Sequence, residues 1–208
     1  MKSRGTAWAG FFTRHMLRLG LKPNTVSLLS LVCAAVAGAA MVLAARSESA
    51  WVFWFVAATG IQMRLFCNMM DGLLAVEGGL KSATGELFNE IPDRISDAWI
   101  LVPLGYAAGT GLSIALGWAA ACGALFTVYV RALGAAQTGR HDFSGPMAKP
   151  HRMAAATIAC LGMMILDLLH IRAPLPLWTL MVIDAGILIT AWRRVSHLVS
   201  TLKQQSKP

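Results

Sequence analysis

Charged side chains are scarce in this chain of 208 residues: 13% are Asp, Glu, Lys or Arg, and 56% are hydrophobic. A soluble domain carries about 25% charged residues, so the sequence lacks a normal polar surface. The apolar stretches also lack the period-2 alternation that the strands of a membrane β-barrel need. These absences exclude an ordinary soluble domain and argue against a barrel.

The chain has few cysteines and no internal symmetry. The four cysteines lie in apolar surroundings without the spacing of a metal site, which is typical of small buried residues. The sequence has no internal repeat, and it lacks the paired, broken segments that are typical of a transporter built from two halves.

Long apolar stretches fill most of the chain. They cover residues 25–45, 50–75, 85–106, 110–136, 153–170 and 175–192, each close to the ~20 residues that cross a bilayer as a helix. The sequence therefore predicts an all-α integral membrane protein with one domain over 1–208. Residues 1–22 are expected to contain an amphipathic interfacial helix, and residues 23–208 to form a bundle of six transmembrane helices.

Positive charge is distributed unevenly about these six predicted spans. Only Arg46 and Arg172 fall on one side, which predicts that both termini are cytoplasmic, in a membrane of the bacterial inner-membrane type. The basic excess then serves orientation and attraction to anionic membrane lipids rather than to nucleic acid. The thirteen basic residues on the other side are Lys2, Arg4, Arg14, Arg18, Lys22, Lys81, Arg140, Lys149, Arg152, Arg193, Arg194, Lys203 and Lys207.

Acidic residues, in contrast, are concentrated in one segment. Ionisable groups at membrane depth are costly and usually mark a site. Six of the ten acids fall within 27 positions: Asp71, Glu77, Glu86, Glu90, Asp93 and Asp97.

The polar residues of this segment recur at helical spacing. Asn68 and Asp71 share one face of a predicted helix, and Asn89, Asp93 and Asp97 share one face of the next. We expect the two helices to pack as an antiparallel hairpin with these faces meeting near its cytoplasmic end. Converging carboxylate and amide oxygens suit Mg²⁺ or Mn²⁺.

The same residues carry a resemblance to a known family. The segment resembles the signature of the CDP-alcohol phosphatidyltransferases, D-x2-D-G-x2-A-R-x8-G-x3-D-x3-D, with every spacing kept. Three positions depart from it: Asn68 and Asn89 replace aspartates, and Val76 replaces the arginine. The retained residues are Asp71, Gly72, Ala75, Gly85 and Asp93.

The resemblance implies an enzyme of phospholipid biosynthesis. Such an enzyme transfers a phosphatidyl group from CDP-diacylglycerol to an alcohol and releases CMP, and the family resemblance also suggests a homodimer. The four signature acids hold two divalent metals, which assigns Asn68, Asp71, Asn89 and Asp93 as the metal-site positions. Asp93 matches the general base. Asp71, Gly72, Ala75 and Gly85 are assigned to the CDP-lipid.

The departures reduce the charge of the ligand set. Two Asp-to-Asn changes remove two negative charges, so we expect weaker metal binding and at most one well-held ion. Glu86, Glu90 and Asp97 are candidate substitute carboxylates. Lys81 or Arg64 is a candidate replacement for the missing arginine.

A second cluster is basic. Arg131 ends the fourth predicted span, and Lys149 and Arg152 lie at the start of the fifth, beside the acidic segment. Cations at this place suit a phosphate, so the three residues are assigned to an acceptor alcohol such as glycerol 3-phosphate or another polyol phosphate. Ordinary membrane anchoring explains them equally well. Inositol phosphates and amino alcohols also stay open as acceptors.

Two alternatives to an active enzyme remain. One is a weak or inactive member of the same family, and the other is a non-enzymatic membrane protein that uses the acids as an ion relay. Asp167 and Asp184 lie outside the cluster and are expected to pair with each other or with His170.

Overall fold

The structure is a computed structural model that describes residues 7–80 and 83–205, and within them the chain forms seven α-helices. The helices are α1 (Ala7–Arg18), α2 (Pro23–Ala44), α3 (Ala50–Glu77), α4 (Gly85–Ala107), α5 (Gly111–Thr138), α6 (Lys149–Leu168) and α7 (Leu175–Gln205).

Local sequence fixes where several helices begin and end. Pro23 opens α2, since proline fits the first turn, where its missing N–H needs no partner. Thr110 and Ser113 form a reciprocal capping box at the start of α5. Gly139 ends α5 with φ at 70°, a left-handed conformation that glycine adopts without steric cost.

Five of the described helices are long and apolar enough to cross a membrane: α2, α3, α5, α6 and α7. The prediction of an all-α membrane protein with several spans is confirmed, whereas the count of six is not. Helix α4 has 23 residues, enough to cross a membrane, but its charged residues set it apart from these five helices. It carries Glu86, Glu90, Asp93, Arg94 and Asp97. The last helix also continues beyond the predicted 192, to Gln205.

The expected α3–α4 hairpin is wrong in one respect, because α2 lies against both helices along their length while α3 and α4 contact each other at few positions. Small residues on α2 allow this approach. A Cβ at Gly38 would lie 2.2 Å from the main-chain oxygen of Trp99 on α4. The acidic faces of α3 and α4 consequently meet only at one end of the bundle, called here the site end.

A buried apolar core occupies the rest of the bundle. Its largest fully buried members include Met41 on α2, Ile61 on α3, Leu101 and Leu104 on α4, Met153 on α6 and Leu180 on α7. The second half of the molecule is built from α5 packed on α7, with α4 against α5 and α6 between α3 and α7. The polar residues of α3, α4 and α6 therefore converge beside a rigid apolar layer.

The N-terminal helix packs on α3, where the Phe12 and Phe66 rings are 5.4 Å apart, edge to face. Helix α1 lies within the segment predicted to contain an interfacial helix, whereas its amphipathic, interfacial character stays a prediction. Lys2, Arg4, Lys81 and Lys207, named above for their charge, lie outside the described residues.

The expected pairing of Asp167 with Asp184 or His170 is wrong. Asp167 Oδ2 accepts a hydrogen bond of 2.7 Å from the main-chain N–H of Trp51, in the first turn of α3. Asp167 lies at the end of α6, so the chain uses it to satisfy an orphan donor at a helix start. Asp184 Oδ2 is buried without a hydrogen-bond partner among the described residues.

Candidate active site

Asn68 on α3 and Asp93 on α4 bring the two acidic faces together. The Asn68 side-chain amide donates to Asp93 Oδ1, as the i, i+3 and i, i+4 spacings of the sequence predict. The contact joins two helices that otherwise touch little, so it marks the point where the predicted oxygen-bearing faces converge.

Asp71 lies one turn along α3 and has a different environment. Its side chain is buried, with 3% of the residue exposed. Oδ2 accepts a 2.6 Å hydrogen bond from Ser27 on α2, whereas Oδ1 has no partner within the described part of the chain. A buried carboxylate oxygen without a donor is costly, and such an exception is typical of a site that receives a ligand or ion.

A cavity of about 360 Å³ opens beside Asp71. Five of the predicted site residues line it, namely Asp71, Gly72, Ala75, Gly85 and Asn89. The remaining lining residues are Pro23, Asn24, Ser27, Val76, Leu80 and Glu86. We call this the Asp71 cavity. The predicted residues Asn68, Asp93, Arg131, Lys149 and Arg152 are not among its lining.

Ser27 and Asn24 were missed as site residues. Both lie in the first turns of α2, directly after Pro23. Their i, i+3 spacing places them on one helical face, which is the signal that was available in the sequence. The structure adds the partner, since Ser27 orients the carboxylate of Asp71.

Asp93 is surrounded by cations. Lys149 Nζ donates to Oδ2, Arg94 Nη2 lies 3.4 Å from Oδ2, and Arg64 Nη2 lies 3.4 Å from Oδ1. With Asn68 also on Oδ1, both carboxylate oxygens are occupied by groups of the protein itself.

Asp97 lies one turn further along α4 and is the most deeply enclosed acid of the cluster. Its Oδ1 is 2.8 Å from Arg64 Nη2 and its Oδ2 is 2.7 Å from Arg152 Nη2. The side chains of Arg64, Asp97 and Arg152 are 0%, 2% and 1% exposed. Arg152 also donates to the main-chain oxygen of Met147.

These contacts correct two expectations. Arg152, assigned to the acceptor, is a buried partner of Asp97 in this conformation rather than a cation open to solvent. Arg64, a candidate for the missing arginine, is enclosed between Asp93 and Asp97 and does not line the Asp71 cavity. The cause is the same for both, because a buried guanidinium needs a carboxylate partner to offset its desolvation.

Glu90 forms ion pairs and does not line the Asp71 cavity. Arg131 Nη2 lies 2.9 Å and 3.0 Å from its two oxygens, and Arg94 Nη2 is 3.2 Å from Oε2. Arg131 also stacks over the Phe143 ring, with Cζ 5.3 Å from the centroid. Glu90 is therefore engaged as an ion-pair partner, whereas Glu86, the other candidate substitute ligand, lines the cavity.

Together these pairs form one ion-pair network of five cations and three acids, which leaves two positive charges in excess. Several guanidinium nitrogens in it are buried without a hydrogen-bond partner within the described ranges: Nε and Nη1 of Arg64, Nη1 of Arg94, Nε of Arg131 and Nε of Arg152. The members are Arg64, Arg94, Arg131, Lys149 and Arg152 with Glu90, Asp93 and Asp97.

The residues fit a hard divalent cation at Asp71 and not at Asp93. Asp71, Asn89 and Glu86 line the same cavity, and they supply carboxylate and amide oxygens of the kind that Mg²⁺ and Mn²⁺ bind. At Asp93 a divalent ion would have to displace cations already in place. No group of three or more His, Cys, Asp or Glu side chains is placed to hold a metal within residues 7–80 and 83–205.

Solved structures with a similar fold are known. Phosphatidylinositol phosphate synthase of Mycobacterium tuberculosis, solved with CDP-DAG bound, superposes with a TM-score of 0.72 at 21% identity, over 90% of this chain and 91% of that one. The same enzyme in apo form gives 0.70 at 23% identity, over 91% and 95%. A further structure of it contains manganese and citrate. The chain has the fold of that synthase.

Sequence comparison points the same way. No model of a known protein family matches the chain. A curated relative, the bifunctional IPC transferase and DIPP synthase of Rubrobacter xylanophilus, is 36% identical over 125 residues, which is 60% of this chain. The chain spans 27% of the length of that relative. The resemblance to the CDP-alcohol phosphatidyltransferases is thereby confirmed as a likeness of fold and of sequence.

Proposed function

We propose that the chain is a membrane-embedded CDP-alcohol phosphatidyltransferase, which transfers a phosphatidyl group from CDP-diacylglycerol to an alcohol and releases CMP. The observation that carries the proposal is the Asp71 cavity. Four signature residues, Asp71, Gly72, Ala75 and Gly85, line one space beside a buried carboxylate oxygen that has no partner among the described residues. The fold of a synthase solved with CDP-DAG bound supports it.

Each part of the Asp71 cavity suits one part of a CDP-lipid. Gly72 and Gly85 allow a flat or charged group to approach the backbone closely. Asp71, Asn89 and Glu86 would hold a Mg²⁺ or Mn²⁺ ion, which when bound offsets the charge of a diphosphate and stabilises the leaving oxygen. Ser27 donates to Asp71 Oδ2 and thereby fixes the orientation of this carboxylate.

The acceptor we propose is an alcohol that bears a phosphate, such as glycerol 3-phosphate or another polyol phosphate. The support is the ion-pair network, whose excess of two positive charges and unpaired guanidinium nitrogens favour an anion. The partly exposed cations of the network are Lys149, Arg131 and Arg94, at 23%, 18% and 16% of the side chain. Arg152, which is buried, would then contribute positive charge to this place without contacting the acceptor phosphate.

Asp93 is the residue that the resemblance assigns as general base. Both of its oxygens are occupied in this conformation. Proton transfer from an acceptor hydroxyl therefore requires that Lys149 or Arg94 first move away. An arriving acceptor phosphate offers these cations an alternative partner, which would free Asp93 when the hydroxyl is in reach.

The occupied state of Asp93 also favours a second candidate function. A protein of this fold in which Asp93 stays ion-paired would bind CDP-lipid without turning it over. Such a protein is the weak or inactive family member that the two asparagines already raise as an alternative.

We further propose the arrangement in the membrane. In it α4 is the sixth crossing of a single domain, its charges covered by α2, α3 and α6, and the protein is a homodimer with both termini and the site end in the cytoplasm. Charge placement supports the orientation, and the homodimer rests on the family resemblance alone. The start of α2, the α5–α6 connection and the end of α7 all belong to the site end and carry Lys22, Arg140, Lys149 and Arg193.

CMP release by the purified protein tests the proposal. Wild-type protein in detergent is given CDP-diacylglycerol, Mg²⁺ or Mn²⁺, and a panel of phosphorylated and neutral alcohols, with product lipids identified by mass. We expect CMP release that requires both metal and a phosphorylated alcohol. Asp71→Asn should lower it by about 100-fold or more, the scale of losing one electrostatic contact to developing charge.

Asp184→Asn is the matched control, since it removes a carboxylate that lies on α7 away from the cavity, and it should retain activity. Near-normal turnover by Asp71→Asn would contradict the site assignment. Binding of CDP-diacylglycerol without any CMP release would instead support the second candidate function.

A further inference from the structure

Lys149 occupies an unusual position for a residue so close to a metal-binding segment. It is the first residue of α6, and its ammonium group donates to Asp93 Oδ2 from a helix that is distant in sequence. Its side chain is 23% exposed, so it is partly enclosed at the point where α3, α4 and α6 meet. A positive charge of the protein itself therefore lies on one of the two signature acids that the chain retains.

The charge balance of the site explains this placement. Replacing two aspartates by Asn68 and Asn89 removes two negative charges, which equals the charge of one divalent cation. Asp71 and Asp93 remain, and they are treated differently. Asp71 keeps an oxygen without a partner among the described residues, whereas Asp93 receives an ammonium, two guanidinium groups and an amide.

We propose that the ammonium of Lys149 takes the place of a second divalent metal ion, so that the site loads one ion, at Asp71. This inference rests on the proposed function, because it concerns how the same site offsets the charge of a diphosphate. Three neighbouring cations repel a divalent ion at Asp93 and leave it no free carboxylate oxygen. Lys149 supplies there a positive charge that no chelator removes.

The number of Mn²⁺ ions bound per chain tests the proposal without relying on turnover. Purified protein is titrated with Mn²⁺, and free and bound ion are followed by electron paramagnetic resonance. We expect one ion per chain in the wild type. Asn68→Asp with Asn89→Asp should bind one ion more tightly, at least about tenfold, because Lys149 still holds Asp93.

Adding Lys149→Met to this pair of changes should raise the count to two ions, whose spins couple because they are close together. Lys203→Met in the same background is the matched control, since it removes an exposed lysine from the end of α7, and it should leave the count at one.

The outcomes separate the inference from the proposed function. Two ions in the wild type would overturn the role of Lys149 while leaving metal-dependent transfer intact. One ion in the triple variant would also overturn it, because removal of Lys149 would then have opened no site. No bound ion in the wild type would overturn both this inference and the metal dependence of the proposed function.

Discussion

Asp71 and Asp97 belong to the same polar cluster and lie on neighbouring helices, yet their surroundings are opposite. Asp71 lines a cavity and accepts a hydrogen bond from Ser27 on one oxygen, and its second oxygen has no partner among the described residues. Asp97 has a guanidinium on each oxygen, and all three side chains are at most 2% exposed. Both acids are buried, but the first is left open to a ligand while the second is enclosed.

The difference shows that acids in a membrane protein serve two separate purposes. A buried carboxylate with complete ion pairing fixes how helices pack, because removing either partner leaves an uncompensated charge. A buried carboxylate with an unused oxygen stores unfavourable desolvation that only a ligand relieves. The open side, around Asp71, is therefore expected to control function, and the closed side, around Asp97, to control stability.

The largest expected effect comes from breaking the closed side. Asp97→Ala leaves Arg64 and Arg152 buried without their carboxylate, and we expect a loss of about 3–5 kcal/mol in the free energy of unfolding. Thermal unfolding of the detergent-solubilised protein measures it. Asp71→Ala is the comparison on the open side, and it should cost much less, since Oδ1 has no bond to lose. Equal losses at the two positions would contradict the division into two sides.

Sequence reasoning identified the open side better than the closed one. The family resemblance assigned Asp71, Gly72, Ala75 and Gly85 to a single ligand, on the residue types and spacings of the signature. The chain indeed places all four around one cavity. Hydropathy likewise located the membrane helices, since a bilayer demands about 20 apolar residues per crossing.

The closed side depends on contacts between distant segments, which spacing within one helix does not reveal. Arg152 reaches Asp97 across 55 positions and Lys149 reaches Asp93 across 56. These pairs follow from how α6 packs on α3 and from the insertion of α2 between α3 and α4. The sequence placed Lys149 and Arg152 correctly at the start of a helix beside the acidic segment, but Arg152 was assigned to a ligand because its partner acid could not be identified from sequence.

A second prediction concerns Glu90, which belongs to the ion-pair network. Its carboxylate, 37% exposed, is paired with Arg131 and Arg94 and would therefore compete with the proposed acceptor phosphate. Glu90→Gln should lower the acceptor KM about three- to tenfold, since a partly exposed ion pair contributes on the order of 1 kcal/mol. The KM for CDP-diacylglycerol should not change. Steady-state kinetics with each substrate varied in turn measures both values.

Glu77→Gln is the control for Glu90, because Glu77 is an exposed acid at the end of α3 that takes no part in the ion-pair network. It should leave both KM values unchanged. A raised acceptor KM in Glu90→Gln would mean that Glu90 orders Arg131 for the acceptor rather than competing with it.

A third, smaller effect is expected for Asp167, at the end of the bundle opposite the site end. This acid belongs neither to the open side nor to the closed side. It accepts a 2.7 Å hydrogen bond from the Trp51 main chain at the start of α3. Loss of such a helix cap costs about 1 kcal/mol, so Asp167→Ala should lower the unfolding temperature by about 2–4 °C. Asp167→Asn keeps an acceptor oxygen and should lose less. An Asp167→Ala variant with the unfolding temperature of the wild type would mean that this cap adds nothing to stability.

The smallest effect is expected in the connection between α5 and α6. The main-chain oxygen of Ser144 in this connection accepts a hydrogen bond from Arg194, and that of Met147 accepts one from Arg152. Asp142 anchors this connection to α7, with Oδ2 3.0 Å from His197 Nδ1. Partial burial opposes ionisation of Asp142, but hydrogen bonds from His197 and the Ser144 main chain outweigh it and lower the pKa below its usual value.

A lowered folded-state pKa gives a definite sign to the pH dependence. The contribution of Asp142 to stability is present above the ordinary aspartate pKa of about 3.9 and is lost as the pH falls through the lower, folded-state value. The unfolding temperature of the wild type should therefore exceed that of Asp142→Asn at pH 6, and the difference should shrink as the pH falls below the ordinary aspartate pKa. A difference that is independent of pH would show that Asp142 acts through packing and not through its charge.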